Sequence, residues 1–337
     1  MDSLKGPMRA KKSRAQWDLF DRMLAVQDAD LRFQLRGVCS VPWADFFLNP
    51  RRLRGSDFLM RWSQGVWSEH RVIEAVNASG EYLAIPYGLS SVAPDNDPRE
   101  TELYFDRLDA AGLGDRKRPD ILVFRKSDGD AVQAAVASAG GEKELPFIPE
   151  DDPRMQMLLS RTILAVECEQ SLWVARRMPD FGKPLKPMKR LHGRLGLPKT
   201  VVGPTIIIKE EDRRPLREWQ MGSGLPIHIW TVFYDLAYGI ALDRAEELIE
   251  EGLIEPKEQN FQAPGGASQS KRTYRVYCQY AYPVGESTQE PSLVAAHIMD
   301  ANGHILPYVR SVGGTMRILP EALQQLRLLA ESRTERT

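Results

Sequence analysis

The chain has 337 residues with 45 basic and 46 acidic side chains, a formal net charge of −1, so bulk charge selects no partner and only its distribution can. Its composition, 42% hydrophobic and 27% charged, is that of a folded globular protein and excludes a disordered one. No apolar run approaches the ~20 residues of a membrane helix, and the basic start (Lys5, Arg9, Lys11, Lys12, Arg14) leads into no apolar signal core. The three cysteines, Cys39, Cys168 and Cys278, are far apart and lack metal-ligand spacing, which argues against a disulfide framework or a zinc site and for a reducing cytoplasm.

The first predicted element is an amphipathic helix over residues 13–30, with Ser13 as N-cap and Trp17, Phe20, Leu24 and Val26 near one face. An irregular segment with Trp43, Phe46 and Phe47 follows, and its basic cluster Arg51, Arg52 and Arg54 reads as a solvated loop. Residues 58–78 form a second helix with an apolar stripe of Trp62, Val66, Ile73 and Val76. Gly65 within it costs about 1 kcal/mol relative to alanine, which suggests close packing or a backbone approach to a ligand. A short strand is expected over 82–87, a loop over 94–98 and a short helix over 102–111.

The apolar run Ile121-Leu122-Val123-Phe124 places Asp120, after Pro119, at a strand start. Residues 126–129 turn the chain, 131–139 form an alanine-rich helix, and the turn-rich stretch 140–153 reads as an insertion. A second run, Ile163-Leu164-Ala165-Val166, ends in Glu167-Cys168-Glu169. Side chains alternate along a strand, so Glu167 and Glu169 share a face at its buried end and Cys168 points the other way, into the core. Two adjacent carboxylates repel, and desolvation raises the cost. A divalent cation coordinated by oxygen would offset it. Each piece has an ordinary reading, Pro-Asp as a turn and Glu-x-Glu as a solvated strand end; the combination favours a site.

After Glu169 a helix is expected over 170–178. From Lys183 to Lys199 every charged residue is basic: Lys183, Lys186, Lys189, Arg190, Arg194 and Lys199. Uncompensated cations beside an acidic site suit a phosphate backbone, or else form a basic surface loop. A third buried strand is expected over 204–209, a helix over 210–220, a fourth strand over 227–234 and a short strand over 238–242. Asp243 reads as the N-cap of a helix over 244–251 that Gly252 closes. A linker over 263–270 precedes a half-exposed strand over 271–280 that carries Lys271 and Arg272. Strands over 293–299 and 304–309 are expected to pair with it through the Asn302-Gly303 turn. A helix over 320–332 ends the pattern. The order implies an α/β protein with a mixed central sheet flanked by helices and a C-terminal β-rich addition. It divides into an N-terminal segment 1–57, a core 58–255 and a segment 256–337 for DNA recognition or dimerisation.

Pro119-Asp120 followed by a strand ending Glu167-x-Glu169 resembles the PD-(D/E)xK nuclease core. Glu169 stands where that motif has lysine, as in BamHI-type restriction endonucleases. The resemblance covers about residues 60–250 and implies a restriction-endonuclease-like fold and Mg²⁺-dependent hydrolysis of double-stranded DNA at a specific short sequence. It implies Asp120 and Glu167 as metal ligands, the Cys168 carbonyl completing the first shell, and Glu169 either binding metal or deprotonating the attacking water. An acid on the first helix joins such sites; Glu69 is the candidate and Glu74 the alternative. Lys209, ending its strand, either supplies the missing cation or lies at the surface beside Glu210 and Glu211. Base-reading candidates lie in 183–199 and 271–280, and a palindromic target would be met by a twofold homodimer.

Overall fold

The computed structural model describes residues 56–88, 104, 107–114, 116–171, 173–262, 268–299 and 305–334. The helix over 13–30, the arginines at 51–54, the loop over 94–98 and the Asn302-Gly303 turn lie outside the described residues.

A seven-stranded mixed sheet organises the chain. In spatial order its strands are β1 (Tyr82–Pro86), β2 (Ile121–Arg125), β3 (Leu164–Gln170), β7 (Ile227–Val232), β8 (Leu236–Ala241), β11 (Tyr282–Gln289) and β14 (Thr315–Ile318). Every neighbouring pair is antiparallel except β3 and β7. Alternation along the strands builds two apolar layers. Ile121, Val123, Leu164 and Val166 face one layer, with Val72 and Val76 of α1 (Ser56–Ala78) and Leu326 and Ala330 of α6 (Pro320–Thr334). Leu122, Phe124 and Ala165 face the other. There they meet α2 (Gly129–Ser138), α3 (Pro153–Leu159), α4 (Glu210–Ser223) and α5 (Leu242–Glu250). The chain is therefore α/β, a large mixed sheet covered on both faces.

The parallel β3–β7 pair needs a crossover, and the crossover is long. It holds a small ribbon of β4 (Lys186–Pro187) and β5 (Leu195–Gly196), then β6 (Thr205–Lys209), then α4. Segment 256–337 supplies β11 and β14 to the main sheet. It also supplies β9 (Pro256–Gln262), β10 (Ser268–Tyr277), and the hairpin of β12 (Ser292–Met299) and β13 (Ile305–Val312).

Several expectations need correction. The strand over 204–209 does not extend the main sheet; β6 pairs with β10, which pairs with β9, because an apolar run carries no information about which edge it will join. The strands over 293–299 and 304–309 pair with each other and not with the strand over 271–280. The helix over 170–178 is only a 3₁₀ turn, Ala175–Arg177: β3 runs on through Gln170, and Pro179 disfavours helical geometry at Met178. Asp243 is not an N-cap: α5 starts two residues earlier than expected, at Leu242 after Ala241, and the Asp243 carboxylate accepts from Gln220 Nε2 at 2.6 Å. The stretch before β3 is the helix α3, started by Pro153 and capped by Asp152, whose Oδ1 accepts from the Arg154 N–H at 2.9 Å. A Cβ built on Gly65 would meet nothing within 4 Å, so close packing does not explain that glycine.

Candidate metal centre

Strand pairing assembles the centre. Ile121 faces Val166 in register, and the Asp120 N–H donates to the Val166 carbonyl at 2.8 Å, which sets Asp120 beside Glu167. Asp120 Oδ2 then accepts from the Cys168 N–H at 2.8 Å, so its carboxylate lies along the end of β3. The Cys168 side chain packs into the α1 layer, as alternation requires. Glu167 and Glu169 share the opposite face. Oxygens of Glu167, Glu169 and Asp212, one from each, lie within 4.8 Å of one another. Asp212 comes from the first turn of α4.

Two lysines border the carboxylates. Lys117 Nζ lies 2.5 Å from Glu167 Oε1. Lys209 Nζ lies 2.7 Å from Glu169 Oε1 and 3.6 Å from Asp212 Oδ2. The second oxygen of Glu167 has no hydrogen-bond partner, although the residue is only 4% exposed. Glu69, on α1, is 9% exposed and near enough for its charge to act on Asp120 and Cys168; Glu74 is exposed on the outer side of the helix.

Protonation follows from this crowding. Burial, reinforced by the Glu69 charge, pushes the Asp120 carboxyl up to about 8, against the pull of Lys117 and the Cys168 N–H. Burial and the Asp120 charge likewise hold Glu167 well above the carboxylate range. Burial works against the Lys117 ammonium, but the Glu167 and Asp120 charges outweigh it and keep it cationic. Five carboxylates stand against two ammonium groups, so the centre lacks positive charge.

That deficit, the unpartnered oxygen of Glu167 and the all-oxygen donor set fit a hard divalent cation such as Mg²⁺. Asp120, Glu167, the Cys168 carbonyl, Glu169 and Asp212 are the groups that could hold it. Sequence reading missed Lys117 and Asp212. Lys117 lies three residues before Asp120 in a basic run, and Asp212 lies three residues after Lys209, so the one available signal was charge next to a residue already singled out.

The DNA-binding candidates divide. Lys183 pairs with Asp180, Arg190 and Lys199 with Glu255, and Lys271 with Glu211. Arg272 stands 4.0 Å from Glu258. Lys186, Lys189 and Arg194 are exposed, and no described acid lies within ion-pair distance of them. No described helix is long and apolar enough to cross a membrane. No family model matches the chain, and neither a curated protein nor a solved structure matches it.

Proposed function

We propose that the chain is a Mg²⁺-dependent endonuclease that cleaves double-stranded DNA at a specific short sequence, with a restriction-endonuclease-like core. The observation that carries this reading is Glu167: a buried carboxylate with one oxygen unpartnered, beside Asp120 and within reach of Glu169 and Asp212. The order of elements supports it too, with α1 ahead of the antiparallel β1–β2–β3 and β7 parallel to β3.

Asp120 and Glu167, with the Cys168 carbonyl, would hold the cation. When bound there, Mg²⁺ would supply Lewis-acid activation of the attacking water and screening of the scissile phosphate. Glu169, held by Lys209, orients the attacking water and accepts its proton. The water oxygen forms a bond to phosphorus in line with the departing 3′ oxygen. The P–O3′ bond breaks, the 3′ oxygen takes up a proton, and a 5′-phosphate and a 3′-hydroxyl remain. Glu69 closes the centre from the α1 side. A twofold homodimer acting on a palindromic site goes with this reading.

The test is incubation of the purified protein with unmethylated phage DNA, with Mg²⁺ or with EDTA, beside Glu167→Ala. Discrete fragments with Mg²⁺ alone, lost in the variant, support the reading, and end-mapping gives the cut sequence. Intact DNA across a range of sequences overturns it. Nicks that follow DNA structure rather than sequence keep the chemistry and overturn the specificity.

A further inference from the structure

The crossover that follows the metal centre projects a short two-stranded ribbon, β4 with β5, and its construction differs from that of a slack surface loop. Lys186 pairs with Gly196 and Pro187 with Leu195. The tip is a 3₁₀ turn, Lys189–Leu191, followed by His192 and Gly193 in left-handed geometry at φ 54° and 83°. Backbone bonds close it: the Met188 N–H donates to Arg194 O and the Gly193 N–H to Met188 O, both at 3.0 Å. Leu191 is buried beneath the tip. A Cβ on Gly196 would come within 2.4 Å of the Leu191 side chain, so the small residue is what lets β5 lie over that anchor. Tyr280 Oη donates to Leu195 O at 2.8 Å, and Gln279 Nε2 donates to Lys183 O at 2.7 Å, tying the ribbon to the body. Asp235 braces the segment between β3 and the ribbon by accepting from the Ala175 and Arg176 N–H groups, and Asp180, within that segment, ties it to the chain that leaves the ribbon by accepting from the Val202 N–H.

The outer surface of this braced ribbon is basic and unneutralised. Lys186, Lys189, His192 and Arg194 are exposed. No acidic residue occurs between Phe181 and Lys209, and the nearest partner, Glu255, is taken by Arg190 and Lys199. Arg194 Nε donates to Leu191 O at 3.2 Å, which holds one edge of the planar guanidinium of this exposed residue. Leu195, beside it, is 53% exposed.

We infer that the β4–β5 ribbon is the element that enters the major groove of duplex DNA. Lys186 and Lys189 grip phosphates, and Arg194 and Leu195 face base edges. The inference rests on the nuclease reading above and adds to it the element that touches the substrate. The major groove admits a two-stranded ribbon, phosphate binding favours unpaired cations, and a tip that is already rigid gives up little conformational freedom on binding. Arginine reads guanine, and an exposed apolar side chain meets the thymine methyl.

The experiment measures binding of the full chain to a fluorescent random-sequence duplex in EDTA, over a range of salt. It compares the wild type with the triple variant Lys186→Ala, Lys189→Ala, Arg194→Ala and with Arg214→Ala, an exposed cation on α4 serving as control. A further arm uses a duplex whose cytosines carry a glucosylated hydroxymethyl group at C5, which fills the major groove. The inference expects the triple variant to bind at least about tenfold more weakly at 150 mM salt, with a slope of log K against log salt shallower by about 2 to 3. The control is unchanged, and the wild type fails on the filled duplex. Wild-type binding that survives in the triple variant overturns the ribbon and leaves the nuclease reading standing. Undiminished wild-type binding to the filled duplex overturns the groove placement. A wild type that neither binds nor cuts duplex DNA overturns the nuclease reading and the ribbon with it.

Discussion

Two glutamates near the same sheet show how differently one residue type is treated. Glu150, at the end of the insertion, has both oxygens engaged. Arg118 Nε reaches Oε1 at 2.6 Å, Tyr87 Oη and Trp219 Nε1 donate to the same oxygen, and Arg116 meets Oε2 at 3.2 Å. Burial alone would raise its pKa, but the Arg118 bond and charge prevail and hold it below the carboxylate range. Glu167 is more deeply buried, has one lysine for one oxygen and nothing for the other, and is pushed the opposite way. A structural carboxylate is satisfied within the chain, whereas a carboxylate left short of partners must be completed from outside it.

The sharpest way to break this comparison is to remove each charge. Glu167→Gln should lower Mg²⁺-dependent DNA cleavage by at least about a thousandfold, while the thermal midpoint of the metal-free protein stays level or rises, because burial already favours the neutral carboxyl that the amide imitates. A variant that unfolds readily would place Glu167 with Glu150. Arg118→Ala should do the reverse. The Arg118 side chain is fully buried and also donates to the carbonyls of Leu145, Pro146 and Ile148, so its loss should destabilise by about 3–5 kcal/mol in urea titration. A change below about 1 kcal/mol would remove the contrast.

His228 supplies a third case, a buried polar group satisfied in its neutral form. Trp230 Nε1 donates to Tyr282 Oη at 2.7 Å, and Tyr282 Oη lies 2.6 Å from His228 Nδ1. Tyr282 therefore donates its proton to Nδ1, and the imidazole carries its own on Nε2. Burial lowers the His228 pKa from 6.5 to about 4. Below pH 6.5 the unfolded chain takes up a proton that the folded chain refuses, so stability falls as pH drops towards 4, by about 3 kcal/mol in all. His228→Gln should flatten that part of the stability–pH curve; an unchanged slope would show that this histidine does not govern it. The smallest effect is expected at Lys209→Met. Its side chain is 39% exposed, so the loss of stability should stay under about 1 kcal/mol, while cleavage falls because Glu169 loses its support. Undiminished cleavage would remove Lys209 from the centre.

What could be read in the sequence follows local physics. The runs Ile121–Phe124 and Leu164–Val166 alternate between two apolar layers and formed strands close to their expected bounds. The same alternation placed Glu167 with Glu169 and turned Cys168 away from them. Pairing was harder. Nothing in Thr205–Lys209 distinguishes a strand of the main sheet from one that joins β10, because both bury the same isoleucines. Lys117 and Asp212 sit on a loop and on the first turn of a helix, where no periodicity fixes direction, and only the folded chain brings them to Glu167. The helix expected after Glu169 is cut at both sides, by β3 running on through Gln170 and by Pro179 beyond Met178, and leaves room only for the 3₁₀ turn.

The hold on α1 also sets an order of events. Arg71 donates to the carbonyls of Tyr234 and Thr315, and Trp67 Nε1 donates to the carbonyl of Gly313. The turn of helix that carries Glu69 is thus fastened by residues almost 250 positions further along the chain. During synthesis, Asp120, Glu167 and Glu169 leave the ribosome long before the segment that fixes Glu69 against them. Because loop closure must precede any gain from so distant a contact, the centre cannot reach its final arrangement until the residues around Gly313 and Thr315 have themselves been made and folded back onto α1.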